Sequence, residues 1–183
     1  MSVFSNPASS SAASADSYVA ALLDLLGDKD PVAVLRETTG ALRRFVETVP
    51  PEVVGRAEAP GKWSICEVIQ HLADSDLVGA FRLRMVLAHD RPAITGYDQD
   101  LWADRLGYRD VDVHEALEQF AALRAANVRL WERLTPADLA RVGLHAERGE
   151  ESLEHMRRLY AAHDLLHLRQ LERIRAALMP ASV

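Results

Sequence analysis

From Glu150 to Leu178 the chain runs without a proline or glycine. Over that stretch one set of side chains recurs at steps of three and four: Leu153, Met156, Tyr160, His163, His167, Gln170, Ile174 and Leu178. The pattern predicts one helix roughly 40 Å long at 1.5 Å rise per residue. A helix of that length with a single apolar seam needs neighbours of similar length to cover it. The sequence offers three. The first opens at Asp30-Pro31 and carries Val34, Leu35, Leu42, Phe45, Val46 and Val49 before Pro50-Pro51 stops it. The second opens on the capping box Ser64-Ile65-Cys66-Glu67 and runs to about His89 through Val68, His71, Leu72, Ser75, Val78 and Gly79. The third is capped by Asp112, presents Leu117, Phe120, Leu123, Val128, Trp131 and Leu134, and ends at Thr135-Pro136.

No strand-like alternation and no internal repeat interrupts these helices. The predicted fold is therefore all-α: a four-helix bundle with a long crossover, Asp90 to Val111, between its second and third helices. A shorter apolar stretch, Tyr18 to Leu26, predicts a further helix stopped by Gly27. Residues 1–16 are mostly Ser and Ala and read as a disordered tail ahead of one domain, residues 17–183. The longest uninterrupted apolar run, Tyr18 to Leu23, is far short of the ~20 residues that span a bilayer. With no cationic, apolar leader either, the expectation is a cytoplasmic protein with no membrane partner. One cysteine, Cys66, excludes disulfide scaffolds and zinc ribbons and reads as a small core residue. A net charge of −6 without a basic block argues against nucleic acid as a partner.

Histidine carries the chemistry. His163 and His167 lie on the seam of the last helix, about 6 Å apart along its axis and on one face, so both rings can reach a single metal ion. His71 shares its face with Val68, Leu72, Ser75 and Gly79, points inward from the second helix, and is the candidate third ligand. Burying three imidazoles costs free energy unless each finds a partner. A shared metal or separate hydrogen bonds in the core would each serve, and the residues alone leave both open. His89, His114 and His155 fall at helix ends or outward positions. Asp164 falls off the seam and reads as surface, while Asp74 reads equally as a solvated residue or a group near the metal. There is no H-E-x-x-H, no Glu-x-x-His pair on core positions, no glycine-rich phosphate loop and no G-x-S-x-G turn.

Gly61-Lys62-Trp63-Ser64 with Glu67, followed by His71-Leu72-Ala73-Asp74-Ser75, resembles the second-helix signature of the DinB-like bacterial proteins. Ile94 to Ala103, with Tyr97-Asp98 and Trp102, is similar to the crossover of the family's YfiT-type branch. His163-Asp164-Leu165-Leu166-His167 matches its final helix, and together the three motifs cover about Val32 to Leu178. The resemblance implies one divalent transition metal per chain, zinc or nickel, held by His71, His163 and His167. It also implies a homodimer and a small-molecule substrate, since members include metal-dependent hydrolases and S-transferases that use a low-molecular-weight thiol. The branch's His-Pro before the last helix is replaced here by His145-Ala146, which puts a pocket role for His145 in doubt.

The expected function is thus a metal-dependent enzyme of the thiol S-transferase or hydrolase type. Ser75, Tyr97, Trp102 and Gln170 are the pocket candidates, the last lying about one turn beyond His167. The alternative is a non-catalytic, stress-associated bundle in which the metal only stabilises a binding or dimerisation module. A closed site with four protein ligands would mark that alternative, and an open position beside a cavity would mark the enzyme.

Overall fold

The computed structural model describes residues 12–146 and 148–179, with side chains from Tyr18 onward. Most of the expected tail, residues 1–11, lies outside the described residues. In chain order the elements are α1 (Ala12–Leu26), α2 (Pro31–Glu47), α3 (Pro51–Val54), α4 (Ile65–Ala88) and β1 (Ala93–Ile94). They continue with α5 (Gln99–Arg105), a 3-10 turn (Tyr108–Asp110), α6 (Val113–Trp131) and α7 (Pro136–Leu139). The chain ends on β2 (Val142–His145), β3 (Gly149–Ser152) and α8 (Leu153–Leu178).

Helices α2, α4, α6 and α8 form the four-helix bundle, with α1 laid along α8. Their ends follow from local chemistry. Asp30 accepts from the Val32 amide at 3.0 Å, and Asp112 accepts from His114 and Glu115 at 2.8 and 3.2 Å. Ser64 and Glu67 satisfy each other's amides in the capping box that starts α4. Gly27 stops α1 in the left-handed region at φ +55°, which costs a glycine little.

The crossover is not free of structure. It carries α5 and the 3-10 turn, and three contacts pin it along α4. Tyr108 donates its buried hydroxyl to Asp74 at 2.6 Å. Arg109 pairs with the capping Glu67 at 2.9 Å. The Cys66 thiol donates to the Val111 carbonyl at 2.8 Å, and burial pushes that thiol up to about 11, far from a nucleophile's range. Asp74 is accordingly buried, accepting from Tyr108, Gln70 and Gln119, and is not on a solvated face.

One departure from the all-helical expectation is a small sheet in the order β1-β2-β3, with β1 parallel and β3 antiparallel to β2. Its strands have two to four residues, too few for alternation to register in sequence. Its consequence is positional. The β2–β3 hairpin takes residues 150–152 out of the predicted last helix, so that α8 begins at Leu153 with Ser152 as its cap.

Candidate metal centre and adjoining cavity

Helical spacing brings His71, on α4, against His163 and His167, on the facing turns of α8. The three Nε2 atoms converge: His71 lies 3.1 Å from His163, and His163 lies 3.0 Å from His167. His71 and His167 are almost fully buried. Desolvation is the main cause that lowers the pKa of all three. Neighbouring imidazoles add to it for His71 and His167, and the Arg124 guanidinium adds to it for His163, which sits at about 4. All three rings are therefore neutral at pH 7.

The donor set fits a cation better than it fits internal hydrogen bonding. Gln170 Oε1 lies 2.7 Å from His167 Nδ1; an amide oxygen can only accept, so that nitrogen carries the proton and His167 Nε2 presents a lone pair. One proton on His163 Nε2 cannot point well at both of its neighbours, so lone pairs face each other in this cluster unless a cation lies between them. Nitrogens about 2.1 Å from one ion stand about 3.0 Å apart at octahedral angles and about 3.4 Å apart at tetrahedral ones, near the observed 3.0 and 3.1 Å. Among the described residues no aspartate, glutamate or cysteine joins the group, so an ion held there would have three protein ligands and an open position. His71 Nδ1 is buried without a hydrogen-bond partner among the described residues and its ring packs on Trp63 at 4.9 Å, whereas the His167 ring is fixed from behind by Gln170.

A cavity of about 120 Å³ opens beside His163. Two of the sequence-derived pocket candidates line it, Ser75 and Tyr97. Trp102 does not line it; its ring lies behind Tyr97 at 4.5 Å and backs that wall. Gln170 does not line it either, because its amide is turned to His167. His145 is buried and lies outside the cavity wall.

Several residues of this region escape a reading by seam alone. Tyr160, already on the α8 seam, fits here because Gly79 has no side chain: a Cβ at that position would stand 2.7 Å from the phenol ring. Arg82, Arg148 and Glu151 complete the polar wall. Beyond His163, Asp164 is buried and not exposed as the seam implies; with Asp76 it grips Arg124, itself almost fully buried. Arg124 falls at the spacing of the stripe Leu117, Phe120, Val128 and Trp131, and a charge at such a position is the signal that could have found this network.

A four-helix bundle with an inserted crossover and three convergent imidazoles sets the chain among the helical-bundle proteins. The chain belongs to the DinB superfamily, whose family model matches residues 35–171. A protein of Oceanobacillus iheyensis named "Putative metal-dependent hydrolase" is 32% identical over 127 residues, covering 69% of this chain and 73% of that protein. A protein of Geobacillus thermodenitrificans with the same name is 29% identical over 114 residues, 62% of this chain and 64% of its own length, just under two thirds. The solved structure of YfiT from Bacillus subtilis, described as "a probable metal-dependent hydrolase with an unusual four-helix bundle topology", superposes with a TM-score of 0.76 at 24% identity. That match covers 81% of this chain and 85% of the other, and it carries the fold.

Proposed function

We propose that His71, His163 and His167 hold one divalent transition metal, zinc or nickel, and that the protein is a metal-dependent enzyme acting on a small molecule, by hydrolysis or by transfer of a low-molecular-weight thiol. The observation that carries this reading is the convergence of three neutral imidazole Nε2 atoms, 3.0 and 3.1 Å apart in sequence of contact, at the edge of a cavity. A divalent ion there supplies Lewis-acid chemistry and brings the pKa of a water or thiol near neutrality. Gln170 orients the His167 ring so that its lone pair faces inward. Ser75 and Tyr97, both on the cavity wall, offer hydroxyls to a substrate's polar atoms. The Tyr97 phenol is held well above its ordinary pKa by burial, so it keeps its proton and acts as a donor.

The purely structural reading of the metal gains no support from the cluster, which gathers three ligands and opens on a cavity. A homodimer and a cytoplasmic location remain part of the proposal; among the described residues no helix is long and apolar enough to cross a membrane. The test is elemental analysis of the untagged protein beside His163→Ala and His71→Ala. About one metal per chain, lost in either variant while the protein stays helical, is the expected result. No metal after dialysis against zinc and nickel refutes the reading.

A further inference from the structure

We propose that the cavity beside His163 is a carboxylate-binding subsite anchored by Arg82, so that the small-molecule substrate carries a carboxylate on a short apolar body. The wall bears three formal charges: Arg82, Arg148 and Glu151. Arg148 and Glu151 neutralise each other in a two-point pair, one contact at 3.1 Å. Arg82 is different. It donates to the Thr95 carbonyl at 2.6 Å, a neutral oxygen, and among the described residues no carboxylate lies within ion-pair distance. Its Nε is shielded from solvent and has no acceptor. Leaving such an N–H unpaired is unfavourable, and an anion delivered to the guanidinium fork would relieve it.

The wall therefore sums to one positive charge in a chain whose net charge is −6. An uncompensated cation facing a small cavity favours an anion over the neutral molecule of the same shape. The rest of the lining sets the remainder of the ligand. Val19 and Leu22 from α1, with Met156 and Leu159 from α8, add apolar surface to the lining. The Arg82 guanidinium is planar and forked, and matches a carboxylate bidentately. His163 lies in the same wall, so a molecule held by its carboxylate reaches toward the imidazole cluster. In its consequence for the reaction the proposal rests on the metal-dependent reading; the capture of the anion does not.

The test uses butanoate, hexanoate and phenylpropanoate, each beside its primary amide, titrated by calorimetry into the chelator-treated protein and into the zinc-loaded protein. The expected result is that at least one acid binds about tenfold more tightly than its amide, in both states. Arg82→Gln removes that preference in both states. Glu151→Gln leaves Arg148 without its counter-ion, and there the preference rises several-fold; it decides the matter should Arg82→Gln fail to fold. The proposal is overturned if no acid binds, or if the preference survives Arg82→Gln. It is also overturned if Glu151→Gln leaves the preference unchanged, or if the preference occurs only with zinc present, which puts the carboxylate on the metal. Failure of the protein to take up zinc refutes the metal reading alone and leaves the chelator-treated comparison intact.

Discussion

Arg124→Met strips the bundle of a buried cation and leaves its partners in place. Arg124 donates to Asp76 Oδ1 at 3.1 Å, to the Leu35 carbonyl at 3.0 Å and to both oxygens of Asp164. Asp76 is about 5% exposed and Asp164 about 1%, so neither carboxylate can turn to water. Methionine fills most of the volume, so the loss is electrostatic: breaking a buried pair by removing one partner costs about 3–5 kcal/mol. With a urea slope near 2 kcal/mol/M, the unfolding midpoint should fall by about 2 M at pH 7. Asp76 already has a raised pKa from desolvation, opposed chiefly by Arg124. Without the guanidinium it rises further. A carboxyl whose folded pKa exceeds its unfolded value binds more protons when folded, so its penalty shrinks as pH falls. The deficit relative to wild type should therefore narrow between pH 7 and pH 5. Adding Asp76→Asn and Asp164→Asn should restore much of the loss by removing the stranded charges. A deficit under about 1 kcal/mol at pH 7, or one indifferent to pH, refutes the assignment of this triad as a buried ion network.

Gln170→Leu frees the His167 ring from the hydrogen bond at its Nδ1 while keeping all three imidazoles; metal affinity, read by competition with a chromophoric chelator, should fall roughly 10–100-fold with unchanged stoichiometry. Wild-type affinity in this variant would leave Gln170 a packing residue. The chelator-treated protein should lose stability as pH falls from about 6.5 to about 4, because the unfolded imidazoles take up protons that the folded His163, at about 4, refuses. His163 alone accounts for roughly 3 kcal/mol, and urea unfolding that stays flat between pH 7 and pH 5 contradicts the burial of a neutral cluster. Gly79→Ala places a methyl 2.7 Å from the Tyr160 ring and should destabilise by about 1–3 kcal/mol despite alanine's better helix propensity. In a Tyr160→Ala background the same change should stabilise; equal effects in both backgrounds exclude the contact.

Helical period suffices to put His71, His163 and His167 together, because a step of four residues keeps side chains on one face and the seam of α8 faces the seam of α4. The same logic misplaces Asp164, one position off the seam. Helix α8 touches α1, α2 and α4 at once, so its buried arc is wider than a single stripe, and Ala161, Asp164 and Leu171 are as buried as the seam itself. The cavity is less legible still. Arg82 comes from α4 and Arg148 from a hairpin of four-residue strands, and nothing in either segment predicts that they share a wall.

Arg124 and the three histidines pose one question in the sequence: a polar side chain occupies a core position and must find a partner. Packing answers it in two ways. For Arg124 the chain itself supplies Asp76, Asp164 and the Leu35 carbonyl, and the charge is accounted for inside the bundle. For the imidazoles it supplies Gln170 behind one ring and other imidazole nitrogens in front, with too few protons to satisfy every contact. A core polar group whose partners are all within the chain is structural. The histidine cluster is polar and buried, with neutral nitrogens gathered against one another, and it stands beside a wall whose Arg82 pairs with no carboxylate among the described residues; that contrast with Arg124 is the ground for reading the two together as a binding site.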